Sequence, residues 1–114
     1  MPLDGDIKNF VKTDSEVVTV LKKARALIDV PGNWSQCGGG WSRGQYCVGR
    51  AIFVSMGIHS WPDDTSKIPA YETFCAANPE VGVAVAFWND NLNRTLPEVL
   101  AAFDRAIALA ESKQ

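Results

Sequence analysis

Two stretches of this chain, one near each end, open with the same four-residue signature and run straight into a helical pattern. Thr13-Asp14-Ser15-Glu16 and Thr95-Leu96-Pro97-Glu98 both read Thr-x-x-Glu, the capping box. In it the threonine oxygen accepts from an orphan N–H of the first turn, and the glutamate returns a bond to the threonine N–H. Behind the first box Val17, Val20, Leu21, Ala24, Leu27 and Ile28 recur at helical spacing, with Lys22, Lys23 and Arg25 turned to water. Behind the second, Leu96, Val99, Leu100, Phe103, Ile107 and Ala110 do the same. The spacing predicts helices over 14–30 and 95–111. Both headers also carry a basic residue before the threonine and a valine after the glutamate, and Ala24 aligns with Ala106. Two independent capping boxes account for that match better than a duplicated helix.

What lies between must fit two helices. Pro31-Gly32 stops the first, and five of the fifteen residues over 31–45 are glycine, so that segment is a connection and not a regular element. A second helix is predicted over 46–56, stopped by Gly57; Arg50 is its only charge, which suits the middle of a bundle. Gly49 inside it implies close approach by a neighbouring helix. A turn containing Trp61-Pro62 leads to a third helix, from Thr65 or Pro69 to Ala77, with Ile68, Tyr71, Phe74 and Cys75 inward. Asn78-Pro79-Glu80 reads as a fresh helix start. The alternating valines of 81–88 suit a strand, but a lone strand lacks a partner, so the segment is read as helix. Residues 89–93 are turn chemistry.

The expectation is an all-α, compact single domain of four or five helices over 13–114. It carries a Gly/Trp-rich loop between helices 1 and 2, and the first and last helices pack around a central helix 2. Residues 1–12 form a loosely docked arm offering Ile7, Phe10 and Val11 to the body.

The chain of 114 residues suffices for one core, not two. Eleven basic against thirteen acidic residues give a net charge of −2, which excludes nucleic-acid binding by bulk attraction. No apolar run approaches the roughly 20 residues of a membrane helix. The start, Met1-Pro2-Leu3-Asp4-Gly5-Asp6, has no basic or apolar signal-peptide pattern. Three cysteines, an odd number, fit free thiols in a reducing cytoplasm.

Several chemistries fail on spacing. Counted from Asn89, an EF-hand would need glycine at its sixth position and glutamate at its twelfth, where Arg94 and Leu100 stand. The loop Gly38-Gly39-Gly40-Trp41-Ser42-Arg43-Gly44 lacks the Gly-Lys-Ser/Thr of a phosphate loop, although its amides and Arg43 leave a small anion open as a ligand. Cys37, Cys47, His59 and Cys75 contain no Cys-x-x-Cys pair, so no zinc site and no cofactor is expected.

The sharpest catalytic reading concerns Cys47, at the start of a helix whose dipole favours a thiolate. Tyr46-Cys47-Val48-Gly49 with the apolar helix behind it resembles the nucleophile helix of NlpC/P60 cysteine peptidases over about a dozen residues. Such enzymes take their histidine from a later strand, whereas His59 lies just past the end of this same helix, roughly 15 Å or more from Cys47.

Four tryptophans, Trp34, Trp41, Trp61 and Trp88, are many for this length. Trp34 and Trp41 stand among glycines, where a ring folds back as a lid or awaits a partner. Arg50 and Arg94 call for acids, and Asp90 and Glu98 are the natural ones. The tail Trp88-Asn89-Asp90-x-x-x-Arg94-Thr95-x-x-Glu98-Val99-Leu100-x-x-Phe103-Asp104-x-Ala106-Ile107 is similar to the closing segment of a family of small bacterial and phage proteins of unknown function. The Ala24-Arg25-x-Leu27-Ile28-x-x-Pro31-Gly32-x-Trp34 exit and the Tyr46-Cys47-x-Gly49-x-Ala51 helix resemble that family too. The resemblance implies a compact helical domain without assigned activity, in which the Trp88-Asn89-Asp90 turn and the Trp34 corner form one feature.

The leading functional reading is therefore a non-enzymatic cytoplasmic binding module with a protein partner or self-association. Its candidate face is where the 33–45 loop meets the 88–94 turn: Trp34, Trp41 and Arg43 against Trp88, Asn89, Asp90 and Arg94. The alternatives are a cysteine-dependent enzyme built on Cys47 and a small inhibitor, encoded on a phage or mobile element, that binds a host protein.

Overall fold

A computed structural model describes residues 16–36, 44–82 and 84–114. The threonine of the first capping box, Trp41, Arg43, Cys37 and the triple glycine lie outside them. The described chain is all-α: helix α1 over residues 16–28, α2 at Val48–Ser55, α3 at Pro69–Ala77, α4 at Val85–Asp90 and α5 at Leu96–Glu111. Single 3-10 turns at Thr65–Lys67 and Pro79–Val81 precede α3 and α4.

The ends of these elements follow their side-chain chemistry. The second capping box is complete: Thr95 accepts from the Glu98 N–H, and the Thr95 N–H donates to the Glu98 carboxylate at 3.0 Å. The Cys47 sulfur caps α2, accepting from the Arg50 N–H at 3.4 Å. Gly57, at φ +80°, closes α2; its N–H donates to Val54 and that of Ile58 to Phe53. This double bond pattern needs a left-handed residue at that position, which glycine adopts without a Cβ penalty. Pro69 opens α3 at its first turn, so the two starts read from sequence are a 3-10 turn and then the helix.

Four expectations need correction. The 81–88 helix is broken: Pro79–Val81 is one 3-10 turn, Gly82 takes φ +64°, and α4 begins only at Val85. It then runs through Asn89 and Asp90, which the sequence placed in a turn, because Trp88 and Asn89 are buried and hold that end. Asn78 does not cap the following turn; its amide is spent on helix carbonyls. Finally, Gly49 makes room not for a helix but for the ring of Trp61. A Cβ there would sit 2.5 Å from the ring's Cη2.

The core is formed by Leu21, Ala24 and Ile28 of α1, Val48, Ile52 and Phe53 of α2, Phe74 of α3, and Val99 and Phe103 of α5, all fully buried. Aromatic rings join the layers: Phe74 meets Phe103 edge-on at 5.0 Å and Trp88 at 5.9 Å, while Phe53 stacks on Tyr71 at 5.7 Å. Helix α5 packs on α3, and α2 packs on α4 and α3. Ion pairs tie α1 to α5, Arg25 to Asp104 at 2.8 Å and Lys22 to Glu111 at 3.5 Å. These exposed pairs add at most about 1 kcal/mol each.

Candidate functional site

The residues flanking the glycine-rich loop are stitched together before any helix packing is considered. The Ser35 N–H donates to Tyr46 O at 2.9 Å and the Tyr46 N–H to Asn33 O, a parallel bridge between 34 and 46. The chain thus leaves α1 at Gly32 (φ +82°) and returns beside itself to start α2. Gln45 reaches back to Gly32 O at 3.0 Å, and Arg50 donates to Gln45 O while lying over the Tyr46 ring at 4.7 Å.

Against this stitched base lies the C-terminal end of α4. Asn89 is completely buried and every part of its amide is used. Its oxygen accepts from the Trp34 indole N–H at 2.9 Å and from the Val48 N–H at 3.1 Å. Its nitrogen donates to Ser35 O at 3.0 Å and to the Asp90 carboxylate at 2.9 Å. Four bonds fill the capacity of a primary amide, and only an asparagine or a longer amide offers that set. Gln36 adds two more, to the carbonyls of Asn89 at 2.9 Å and Asn91 at 2.7 Å. Val48 is the first residue of α2, so Asn89 also satisfies one of the orphan N–H groups at that helix start.

Beside this knot Arg94 grips the end of α4. Its Nε donates to Trp88 O at 3.0 Å, its guanidinium lies 4.1 Å over the Trp88 ring, and Nη1 pairs with Glu98 at 3.0 Å. Of the two acids the sequence offered to Arg50 and Arg94, Glu98 pairs with Arg94, with an added cation–π contact to Trp88. Trp88 itself is 6% exposed, and its indole N–H is buried without a hydrogen-bond partner among the described residues. Glu98 is held below the ordinary carboxyl value, first by the Thr95 N–H, then by the Thr95 hydroxyl and by Arg94.

Of the seven sequence-derived site residues, the structure thus brings together Trp34, Trp88, Asn89, Asp90 and Arg94, while Trp41 and Arg43 lie outside the described residues. Their polar groups are largely turned inward. Gln36 and Gln45 escaped the sequence reading because lone glutamines in a loop carry no periodic or spacing signal. Facing outward at this junction, beside the exposed Asn91 and Asn93, are two large apolar side chains: Phe87 is 83% exposed and Leu92 87%.

The Cys47 thiol is pushed up from its ordinary value, first by burial and further by the Asp90 carboxylate, against the Arg50 N–H that favours the thiolate. Burial outweighs the helix-end effect expected from sequence. His59 is exposed and lies beyond the opposite end of α2, about 12 Å of helix away. Among the described residues no three His, Cys, Asp or Glu side chains converge as metal ligands. Cys47 and Cys75 are both free thiols, and burial raises Cys75 as well, with Glu72 adding to it.

With that geometry in place, the chain was compared with known proteins. The model of a family of unknown function, DUF6197, matches residues 12–109. The chain belongs to this family. No curated protein and no solved structure matches it. The matched span of DUF6197 holds both sides of the Asn89 knot, α1 to α4, and all but the last two residues of α5. Among the described residues no helix is long and apolar enough to cross a membrane.

Proposed function

We propose that this chain is a non-catalytic interaction module of the cytoplasm. Its contact face is the outward side of α4 and the turn after it, where a protein partner covers Phe87 and Leu92. One observation carries the reading. The two most exposed large apolar side chains of the described residues stand five positions apart, astride a short helix whose other face is fixed by Trp88, Asn89 and Arg94. A rigid support beneath exposed apolar anchors suits recognition, since little freedom is lost when a partner arrives. Trp34, Asn89, Asp90 and Arg94 then act as scaffold. The half-buried, upward-shifted Cys47 supports the non-catalytic part, and free Cys47 and Cys75 thiols support a reducing compartment.

A photo-crosslinking side chain at position 87 of the full chain tests it in the host cell. An adduct that excess wild-type protein competes away, and the Leu92→Asp variant does not, is the expected outcome. An adduct pattern identical to that from exposed position 104 on α5 would overturn the face. Rapid alkylation of native Cys47 near neutral pH would overturn the absence of catalysis.

A further inference from the structure

Two tryptophans of the described residues stand in connections between helices, and they are seated in opposite ways. Trp34 is fastened: its indole N–H donates to the buried Asn89 at 2.9 Å, and its backbone lies in the bridge to Tyr46. Trp61 is not. Its ring enters a notch over Gly49 of α2 with the benzo end first. The three ring atoms nearest to where a Cβ would stand, at 2.5, 3.0 and 3.3 Å, are Cη2, Cζ3 and Cζ2. Phe53 meets this ring edge-on at 4.8 Å and is itself stacked on Tyr71. Among the described residues the Trp61 indole N–H has no hydrogen-bond partner, and the side chain remains 40% exposed. The seat is apolar contact alone.

The chain that carries this ring has no other hydrogen-bonded hold on the body. At one end the Ile58 N–H donates to Phe53 O, and at the other the Asp64 carboxylate accepts from the Ser66 N–H. Between them, among the described residues, none of 59–63 gives or takes a hydrogen bond or an ion pair. His59, Ser60 and Asp63 are exposed, and Pro62 has no N–H to give. Burial of one ring must therefore offset the ordering of five residues. Segments with so few bonds open at far lower free energy than the domain as a whole. Helix α2 does not need the strap: the Cys47 sulfur caps its start and the Gly57 N–H closes its end. With the ring away, alanine at 49 would serve that helix better than glycine, so the glycine serves the seated ring.

We propose that residues 58–64 are a strap that opens and closes as a unit, latched by the Trp61 ring in the Gly49 notch. Opening bares Phe53 and the Tyr71 stacked on it while the helices stay folded. The strap shares no residue with the contact face proposed for α4 and stands or falls without it.

Relaxation dispersion on the labelled full chain tests it. Microsecond-to-millisecond exchange is expected at the Trp61 indole N–H, the Gly49 amide and the Phe53 ring, and not at the Trp34 indole. Urea well below the unfolding midpoint should leave the open population almost unchanged, because opening one strap exposes little surface. Gly49→Ala should enlarge that population at least about fivefold, since overpacking pushes the ring out. The α5 signals should stay in place and report a folded domain. Trp61→Ala should end the exchange at the Gly49 amide. Absence of exchange at Trp61 in the wild-type chain would overturn the proposal. So would an open population that climbs with urea as steeply as global unfolding, or a Gly49→Ala variant in which α2 and α5 signals shift together. Either would mean that the ring leaves only when the domain unfolds.

Discussion

Among the described residues two asparagines are fully buried, and they do different work. Asn89 ties a strip that carries no helix, Trp34 and Ser35, to the first N–H of α2 and the end of the six-residue α4. Asn78 joins elements already packed by rings. Its nitrogen donates to Phe74 O at 2.9 Å and Ala102 O at 3.0 Å, and its oxygen accepts from Arg105 Nε at 2.7 Å. Around Asn78, α3 and α5 are held by Phe74 and Phe103 whether or not the amide is there. Around Asn89 the amide is the main thing that fastens the bridged base of the glycine-rich loop to α4. The half of the domain built from connections is held by directional polar bonds, the half built from helices by apolar contact.

That contrast breaks or sharpens first at the asparagines. Asn89→Ala leaves the buried Val48 N–H and Trp34 indole without an acceptor and should cost about 3 kcal/mol, since each buried unsatisfied group costs roughly 1–3 kcal/mol. Asn78→Ala should cost less, about 2 kcal/mol, because Arg105 is half exposed and can turn to water or to Glu80. Aspartate separates the sites further. At 78 it keeps the acceptor and gains charge opposite Arg105, although a carboxylate oxygen then faces the Phe74 and Ala102 carbonyls, so Asn78→Asp should cost less than Asn89→Asp. At 89 it loses the bond to Ser35 O and sets a second carboxylate against Asp90, so Asn89→Asp should be no milder than Asn89→Ala. Urea unfolding of the four variants measures this, and equal losses at the two positions would dissolve the distinction.

The next test is on the connection side, where Trp61 lies across α2. A methyl at position 49 meets its ring at 2.5 and 3.0 Å, and the ring also meets Phe53 edge-on at 4.8 Å. Gly49→Ala gains helix propensity of about 1 kcal/mol but forces the ring away, at the roughly 1–3 kcal/mol typical of overpacking. The net expectation is about 1 kcal/mol of destabilisation. In a Trp61→Ala background the same substitution should instead stabilise. A loss of equal size in both backgrounds would show that the ring is not what demands glycine.

How much of this was legible beforehand divides along the same line. Where structure follows from local spacing, the sequence sufficed: the Thr95–Glu98 box, the Gly57 stop, the Pro69 start and the all-α class all stand in the fold. Where it depends on partners distant in the chain, it did not. Nothing near Asn89 announces bonds to residues 41 to 55 positions away, so Asn-Asp-Asn read as a turn. Nothing near Gly49 announces a tryptophan from a later loop. The junction of Trp34 with Asn89 was reached only through the family resemblance, and the exposed Phe87 and Leu92 beside it were missed. An apolar residue in a short segment looks the same in sequence whether it faces in or out.

The smallest expected effect lies on the helix side and concerns pH. Glu98 is exposed, yet the Thr95 N–H, the Thr95 hydroxyl and Arg94 hold its folded-state carboxyl below the ordinary value of 4.5. A depressed folded value means that the unfolded chain takes up the proton first as pH falls. The stabilisation is therefore whole above about 4.5 and disappears as pH drops through the folded value. Glu98→Gln should leave a flatter acid limb in stability against pH and change little at pH 7. In the wild-type protein a carbon-detected titration should place Glu98 below an ordinary glutamate. Thr95→Ala should bring it most of the way back, and Arg94→Gln only a little, because the N–H and hydroxyl bonds are short and local whereas an exposed ion pair is screened by salt. If Arg94→Gln restored the value as fully as Thr95→Ala, the guanidinium would be holding the start of α5 more firmly than its cap. The helix side would then depend on the same kind of long polar tether that closes the loop at Asn89.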